Sequence, residues 1–417
     1  MNRYLIPLFL LFITAKSFSQ TPYTNDVFKP NIKSVQFYNI NKNPSFPIIK
    51  LNSAEQVELE FDDLEGGTKY YYYTIEHCDG DWNSSNLSPN EYLKSFNEDK
   101  ILDYSYSTAT RQKYTHYTIK FPNDNIKPII SGNYILKVYE DDDQSKLVLT
   151  QKFYVLNPKM SVSAQIAVSS DQDKRASNQK INFQVNYGTL TVQNPAREIR
   201  TFIMQNQKDE TGSFTTDPQY IRGNQLIYGD LNTNDLAGGN EFRHFDTRSL
   251  KLASDRVAHI YTDTVNSVIL LTDQSRNNSN YSFSYDNDGN YYILNQDGTN
   301  PATDADYAHM SFSLNAGRGN AQGSAYIVGK FNNYKLDDRS KMDYDGTKFY
   351  SYMFLKQGVY DYQYVWVDNA TKTPDYTLLE GSYFDTENKY QLLVYYRPPT
   401  ARWEELVGYT VVSTVQK

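Results

Sequence analysis

Residues 134–155, which read YILKVYEDDDQSKLVLTQKFYV, predict two β-strands joined by a tight turn. Residues 134–139 and 147–155 are rich in aromatic and branched apolar residues, which favour extended backbone. The four acidic residues at 140–143 between them are typical of a solvated hairpin tip. A cation site at the tip is the alternative. The stretch predicts an antiparallel hairpin, and related patterns recur along the chain.

Most of the remaining chain also shows a strand-like period of two. Residues 57–61, VELEF, alternate between apolar and acidic residues, and residues 114–121 form a second such run that Pro122 ends. Residues 197–207 fit either a short helix or a buried strand, and we prefer the strand. Because no run of a dozen residues has helical spacing, the sequence predicts an all-β protein.

The length of 417 residues suits about three domains. We expect three consecutive immunoglobulin-like or fibronectin-like β-sandwich domains, since strands separated by frequent turns are typical of sandwiches. The expected boundaries are residues 20–157, 158–285 and 307–417. Residues 286–306 are rich in Asn, Asp and Gly and are predicted to be a loop or linker.

Residues 1–19 have the pattern of a cleaved signal peptide. Arg3 precedes an apolar run at 5–13, small residues follow it, and Gln20 is the expected first mature residue. The apolar run is shorter than the roughly 20 residues that span a bilayer. Loss of Arg3 and Lys16 changes the net charge from −8 to −10. An acidic mature chain argues against binding of nucleic acid or anionic lipid by bulk charge. No later segment is apolar enough to be a membrane helix, and no Cys directly follows the apolar run, so we expect a soluble periplasmic protein.

No motif predicts catalysis, a metal or a cofactor. The five His residues form no zinc spacing, and no nucleophile elbow is present. Cys78 has no second Cys to pair with, and its neighbour His77 points to the opposite face of a strand. The many carboxylates leave a glycosidase pair open, because sequence does not show their separation. We predict that the protein is not an enzyme.

Two Gly-containing loops resemble ligand-binding loops only in part. Residues 286–289, DNDG, would begin a calcium loop, but Ser284 and Asn295 then occupy positions that need acidic ligands, so a tight turn is preferred. Residues 317–323, GRGNAQG, lead into a strand and not into a helix, so a flexible loop is preferred to a phosphate site.

Two longer segments carry a family resemblance. The first is YYYYTIEHCDGDW at 70–82, followed by NEYL at 90–93 and SGNY at 131–134. The second is GGNEFRHFDTRSL at 238–250, and MQN at 204–206 lies between them. Together they resemble the plug proteins of the Bacteroidota type IX secretion system, in order and over nearly the whole mature chain.

This resemblance implies a non-enzymatic role in protein transport. Plug proteins of this family are periplasmic and bind the periplasmic mouth of a very large outer-membrane translocon barrel, of the SprA/Sov type. They seal it while no cargo leaves, and they associate with the outer membrane only through this partner. A barrel of that size has a lumen too wide for side chains to fill.

The motif residues have a structural interpretation and a partner-contact interpretation. Structurally, Trp82 packs in a sandwich core, Asp79 and Asp81 flank a turn, and Glu241 and Arg243 form ion pairs with a nearby strand. In the partner-contact interpretation, the motif residues bind the barrel. We expect loop tips to make most of the contacts with the barrel, because sandwiches present variable loops at their ends. The candidate residues are His77, Asp79, Asp81, Trp82, Asn240, Glu241, Phe242 and Arg243.

A second resemblance covers the last block. Residues 325–334 and 358–368 are similar to the early-set, glycogen-binding type of immunoglobulin-like domain, in which a Trp often stacks on sugar. Tyr334 stands at that position here. The alternative function is therefore a periplasmic or surface carbohydrate-binding protein that uses Tyr334 and Trp366. We prefer similarity of fold alone.

Overall fold

The computed structural model describes residues 23–42, 45–215, 217–229, 232–277 and 280–415, and these residues are almost entirely β. The predicted signal peptide, residues 1–19, lies outside them. The α-helices in the described ranges are single turns, α1 (Pro89–Tyr92), α2 (Pro195–Glu198) and α3 (Pro301–Asp304). No helix in these ranges has the length and apolar character to cross a membrane. The all-β prediction is confirmed.

The first module is a two-sheet sandwich. One sheet has the order β1-β10-β9-β5-β6, with β3 beside β10, and the other has the order β2-β4-β8-β7. The predicted hairpin is present as β9 and β10, and apolar side chains of both sheets fill the space between them. The strands are β1 (Asp26–Val27), β2 (Ile32–Asn39), β3 (Ile48–Lys50), β4 (Val57–Asp63), β5 (Tyr71–Cys78), β6 (Asp99–Lys100), β7 (Asp103–Tyr106), β8 (Thr115–Phe121), β9 (Gly132–Glu140) and β10 (Leu147–Leu156).

The second module is built from two separate parts of the chain. One sheet has the order β11-β12-β16-β15, with β17 beside β12, and the other has the order β14-β13-β29-β30. The ambiguous segment 197–207 contains β13, so the preferred strand is confirmed. The strands are β11 (Ser161–Val168), β12 (Asn178–Asn186), β13 (Ile199–Gln205), β14 (Lys208–Phe214), β15 (Tyr220–Arg222), β16 (Gln225–Tyr228), β17 (Asp235–Ala237), β29 (Lys389–Tyr396) and β30 (Glu405–Ser413).

The third module is inserted between these two parts. Its sheets are β18-β27-β22, with β24 and β28 also beside β27, and β19-β20-β23-β26-β25, with β21 beside β23. The strands are β18 (Arg243–Asp246), β19 (Val257–Thr262), β20 (Asn266–Leu270), β21 (Asp273–Gln274), β22 (Tyr291–Ile293), β23 (Tyr307–Asn315), β24 (Gly323–Val328), β25 (Asp343–Tyr344), β26 (Phe349–Lys356), β27 (Gly358–Asp368) and β28 (Pro374–Asp375).

Strand pairing differs from the expected boundaries of the second and third domains. Ile199 lies opposite Tyr396, so the last strands of the chain complete the second sandwich and not the third. Residues 286–306 are not a linker, because β22 within them pairs with β27. The turn expected at 286–289 and the loop expected at 317–323 are present. Sequence periodicity locates strands but does not show which distant strands are partners.

Candidate docking surface

The first family motif lies at the joint between the first and second modules. Asp79 Oδ1 accepts hydrogen bonds from the backbone N–H groups of Asp81 and Asn83, at 3.0 and 2.8 Å, and so closes the predicted turn. Gly80 N donates to Glu404 Oε2 at 2.8 Å. Arg200 donates to both Asp81 and Glu404 at 2.8 Å. The turn is therefore fixed against the second module.

Trp82 and His77 support this joint from within. The Trp82 ring packs edge-on against Tyr154 at 5.4 Å, in an apolar cluster shared by the two modules and not in a sandwich core. His77 is buried between Ser85 Oγ at 2.7 Å and the Ser131 carbonyl oxygen at 3.1 Å. Burial lowers the pKa of His77 to about 4, so the ring is neutral at neutral pH. His77 is therefore inaccessible to a partner, and Trp82 is half-buried in the joint.

The second motif lies at the joint between the second and third modules. Asn240 donates to the Glu380 carbonyl oxygen at 2.8 Å. The Glu241 carboxylate accepts from Tyr281 at 2.6 Å and from the backbone of Glu387 at 3.0 Å. Phe242 is buried, and its N–H donates to the carboxylate of Asp286. The motif thus joins the inserted module to the end of the second one.

Arg243 forms the ion pair that was expected on this face. Its guanidinium contacts Asp273 at 2.9 Å and Glu380 at 3.0 Å, and its side chain is 8% exposed. Burial alone would raise the pKa of Glu380, but Arg243 and Arg276 lower it to about 2. Glu241 does not form the ion pair that was also expected of it. Its carboxylate accepts hydrogen bonds from a hydroxyl and from a backbone N–H group. Arg243 therefore stabilises the fold.

A third joint connects the first and third modules, and the sequence analysis did not find it. The fully buried carboxylate of Asp62 on β4 contacts Lys356 Nζ, Tyr307 Oη and His116 Nδ1, each at 2.7 Å. Burial alone would raise the pKa of Asp62, but Lys356 and His116 lower it. The one sequence feature that points to this joint is Lys356, a charged residue at the end of a strand that is otherwise uncharged and mostly aromatic or apolar.

These three joints connect every pair of modules. An ion pair crosses each joint: Lys152 with Asp209 between the first and second modules, Lys389 with Asp288 between the second and third, and Lys356 with Asp62 between the third and first. The first and second modules also share an apolar cluster. A chain of three modules with a single linker between neighbours would allow hinge motion. Contacts at all three joints oppose such motion.

Tyr334 and Trp366 do not form a sugar-stacking platform. Tyr334 is 4% exposed, and its hydroxyl donates to the Gly289 carbonyl oxygen at 3.0 Å. Trp366 is 3% exposed and packs edge-on against Phe349 at 5.8 Å. Stacking needs an accessible ring face, and neither ring offers one. Both residues belong to the packing of the third module.

An uncharged surface covers one side of the third module. It consists of the outward side chains of β19, β20, β23 and β26, and we call it the uncharged face: His259, Tyr261, Ser267, Ile269, His309, Ser311, Tyr352 and Phe354. The only charged residue in these four strands is Lys356, which is buried against Asp62. In a chain in which 22% of residues are charged, such a surface is unusual.

Two rows of side chains cross the uncharged face. One row contains Ile269, Ser311 and Tyr352, which lie opposite one another on adjacent strands. In the other row, His309 packs against Phe354 at 4.7 Å. Tyr352 is 67% exposed, and Ile269 is 40% exposed. The combination of exposed aromatic rings and short hydroxyl side chains is typical of protein-binding surfaces.

A cleft of about 520 Å³ borders the uncharged face, at the joint between the first and third modules. Tyr352 and Phe354 line one side of it, and Phe28 and Lys33 line the other. Burial lowers the pKa of Lys33, and the nearby Arg339 adds to the effect. The cleft differs from the uncharged face, because charged residues are part of its lining: Asp26, Lys29, Lys33, Asp337 and Arg339.

Comparison with known proteins agrees with the resemblance seen in the sequence. The family model "Type 9 secretion system plug protein 1st domain" matches residues 32–157, which form most of the first module. A crystal structure of a hypothetical protein from Parabacteroides merdae has 33% sequence identity and a TM-score of 0.91, and the match covers 95% of this chain and 100% of that chain. No curated protein matches the chain. The chain belongs to the type 9 secretion system plug protein family.

Proposed function

We propose that the protein is a non-enzymatic periplasmic plug that binds and seals the periplasmic opening of the outer-membrane translocon barrel. The family assignment supports a role in type IX secretion. The observation that carries the proposal is the mutual contact of the three modules, with an uncharged face on one of them. A plug has to keep its shape under load, and mutual contacts among modules provide this.

The proposed contact is the uncharged face without the adjoining cleft, since charged residues line that cleft: Asp26, Lys29, Lys33, Asp337 and Arg339. The partner surface is the uncharged polar and aromatic rim of the barrel, since a charged group placed there would lose water without gaining an opposite charge. This differs from the contact through loop tips that the sequence analysis preferred. We assign the structural role to the family motifs, because their residues hold the modules together.

The alternative, a carbohydrate-binding protein, has no support from the positions of Tyr334 and Trp366. Both side chains are buried, as described above. Sugar sites of proteins usually place aromatic rings where they are accessible, because the ring face packs on the sugar. We therefore propose the plug function alone.

An affinity pull-down from detergent-solubilised outer membranes tests this function. The tagged protein is expected to retain the barrel, and deletion of its gene is expected to make the outer membrane more permeable to large antibiotics. If the barrel is absent from the eluate and permeability does not change, the plug function is wrong.

A pair of variants tests the contact surface. Tyr352→Lys places a charge on the most exposed aromatic residue of the uncharged face and should weaken capture at least about tenfold, since burial of an unpaired charge costs more than about 1.4 kcal/mol. Tyr220→Lys is the control, because Tyr220 is 60% exposed but lies on β15 of the second module. Equal capture by both variants would refute this choice of surface.

A further inference from the structure

A partly open pocket lies between the second and third modules, away from the uncharged face. Its volume is about 210 Å³, which is more than a single water needs. Residues of the family motifs line it, including Asn206, Gly238, Gly239 and Phe242. These motif residues hold the joint together, but the joint does not require an open space of this size.

One buried hydrogen-bond donor of the wall has no acceptor in the described part of the chain, and an ammonium group beside it has no carboxylate partner there. Gln363 is 8% exposed, and its Nε2 is buried without a hydrogen bond. Lys208 is 6% exposed, and its ammonium group has no carboxylate within ion-pair distance among the described residues. Burial of a donor without an acceptor is costly, so Gln363 indicates a missing acceptor, and the ammonium group of Lys208 favours an acceptor with a negative charge.

Other polar groups of the wall are already satisfied. Gln205 Nε2 donates to two backbone carbonyl oxygens and to Tyr390 Oη, at 3.1 to 3.3 Å. Asn206 Nδ2 donates to Asn388 Oδ1 at 2.8 Å. Glu380 accepts from Arg243 and Arg276. The unsatisfied part of the wall therefore consists of donors, and it selects for a ligand that accepts hydrogen bonds.

Aromatic rings limit the shape of this ligand. Lys208 Nζ lies 5.3 Å from the centroid of the Phe242 ring and 5.8 Å from that of Tyr334. Tyr376 lines the same cavity. Cation–π contacts hold the ammonium in place, but they do not provide a hydrogen-bond acceptor of full charge. A small group with an anionic end and a short apolar stem fits these walls.

We propose that this cavity binds a carboxylate group, with Lys208 Nζ and Gln363 Nε2 as its donors. Two sources share this chemistry, a free short-chain carboxylate and the side chain of a Glu residue in a peptide. This binding site is separate from the uncharged face, and it does not depend on the plug function.

Isothermal titration calorimetry with purified full-length protein tests the proposal. The probes are propionate, glutarate, the tripeptide Ala-Glu-Ala with an acetylated N-terminus and an amidated C-terminus, and the neutral isosteres propionamide and the equally capped Ala-Gln-Ala. Carboxylates are expected to bind and their amides are not, since Lys208 distinguishes the charges. Binding of propionate or glutarate alone identifies a free carboxylate, and binding of the Glu peptide alone identifies a peptide side chain. Heat from neither source, or equal heat from acids and amides, overturns the proposal.

Variants test the two donors. Lys208→Met keeps the apolar stem, removes the charge, and should weaken carboxylate binding at least about tenfold. Gln363→Leu should weaken it several-fold. The control is Thr211→Val, because Thr211 lines the same cavity but donates its hydroxyl to the Lys208 carbonyl oxygen at 3.2 Å. A Lys208→Met protein that folds and binds as the wild type does would overturn the proposal.

Discussion

Protonation of His116 should stabilise the joint between the first and third modules. Its Nδ1 lies 2.7 Å from Asp62, and its Nε2 lies 3.8 Å from Glu60. Burial alone would lower the pKa of His116, but Asp62 and Glu60 raise it from 6.5 to about 9. At about 1.4 kcal/mol for each pH unit between these values, the proton contributes about 3 kcal/mol to the free energy of unfolding.

The sign of the pH dependence follows from the raised pKa. The contribution is fully present below pH 6.5, where His116 is protonated in both the folded and the unfolded chain. It is lost as the pH rises through about 9, because the folded protein then releases the proton. Lys208 has the opposite effect, since burial lowers its pKa to about 8. The effect of His116 therefore has to be measured as a difference between two proteins.

His116→Gln removes the proton and leaves an amide that still donates to Asp62. Urea unfolding should show the variant about 3 kcal/mol less stable than the wild type near about pH 6, and nearly equal to it near about pH 10. His309→Gln is the matched control, because His309 lies exposed on the uncharged face. The reasoning is wrong if the His116→Gln difference is the same at both pH values.

Further predictions concern the buried groups. Arg243→Met leaves Asp273 and Glu380 without their shared cation and should cost about 3–5 kcal/mol in urea unfolding, whereas the exposed Arg222→Met should cost little. Gly289→Ala should destabilise the protein by about 3 kcal/mol or more, because φ is +79° and the new Cβ would overlap Tyr334 and Phe242. Its control, Gly346→Ala, has φ +97° in open space and should cost only about 1 kcal/mol; equal losses would contradict this. Burial raises the pKa of the Cys78 thiol, so thiol reagents should label it only after unfolding, and rapid labelling of the folded protein would show that it is accessible.

The strands of the first module were predictable because their signal is local. Apolar and acidic side chains alternate in residues 57–61, and in residues 134–155 an acidic turn separates two apolar runs. These segments form β4, β9 and β10. The segment 197–207 was harder, since a run of apolar residues fits a helix and a fully buried strand equally well. Pairing with β29 makes it a strand, and that partner lies at the far end of the chain.

The inserted third module and the joints were not predictable by the same reasoning. Ile199 and Tyr396 carry no local feature that identifies them as partners. The same holds for Asp62, which has the appearance of a strand end before a turn but binds Lys356 of another module. The motif residues were found through family resemblance, and only their positions in space show that they act at joints.

Site-specific photocross-linking at Tyr352 tests the central claim most directly. A photoreactive amino acid is placed at Tyr352 on the uncharged face and, in a second protein, at Tyr220 on the second module, which are 67% and 60% exposed. Both proteins are expressed in cells that lack the native copy and are irradiated before lysis. The account predicts a cross-link from position 352 to the translocon barrel and none from position 220. A barrel cross-link from position 220 with none from position 352 would contradict it.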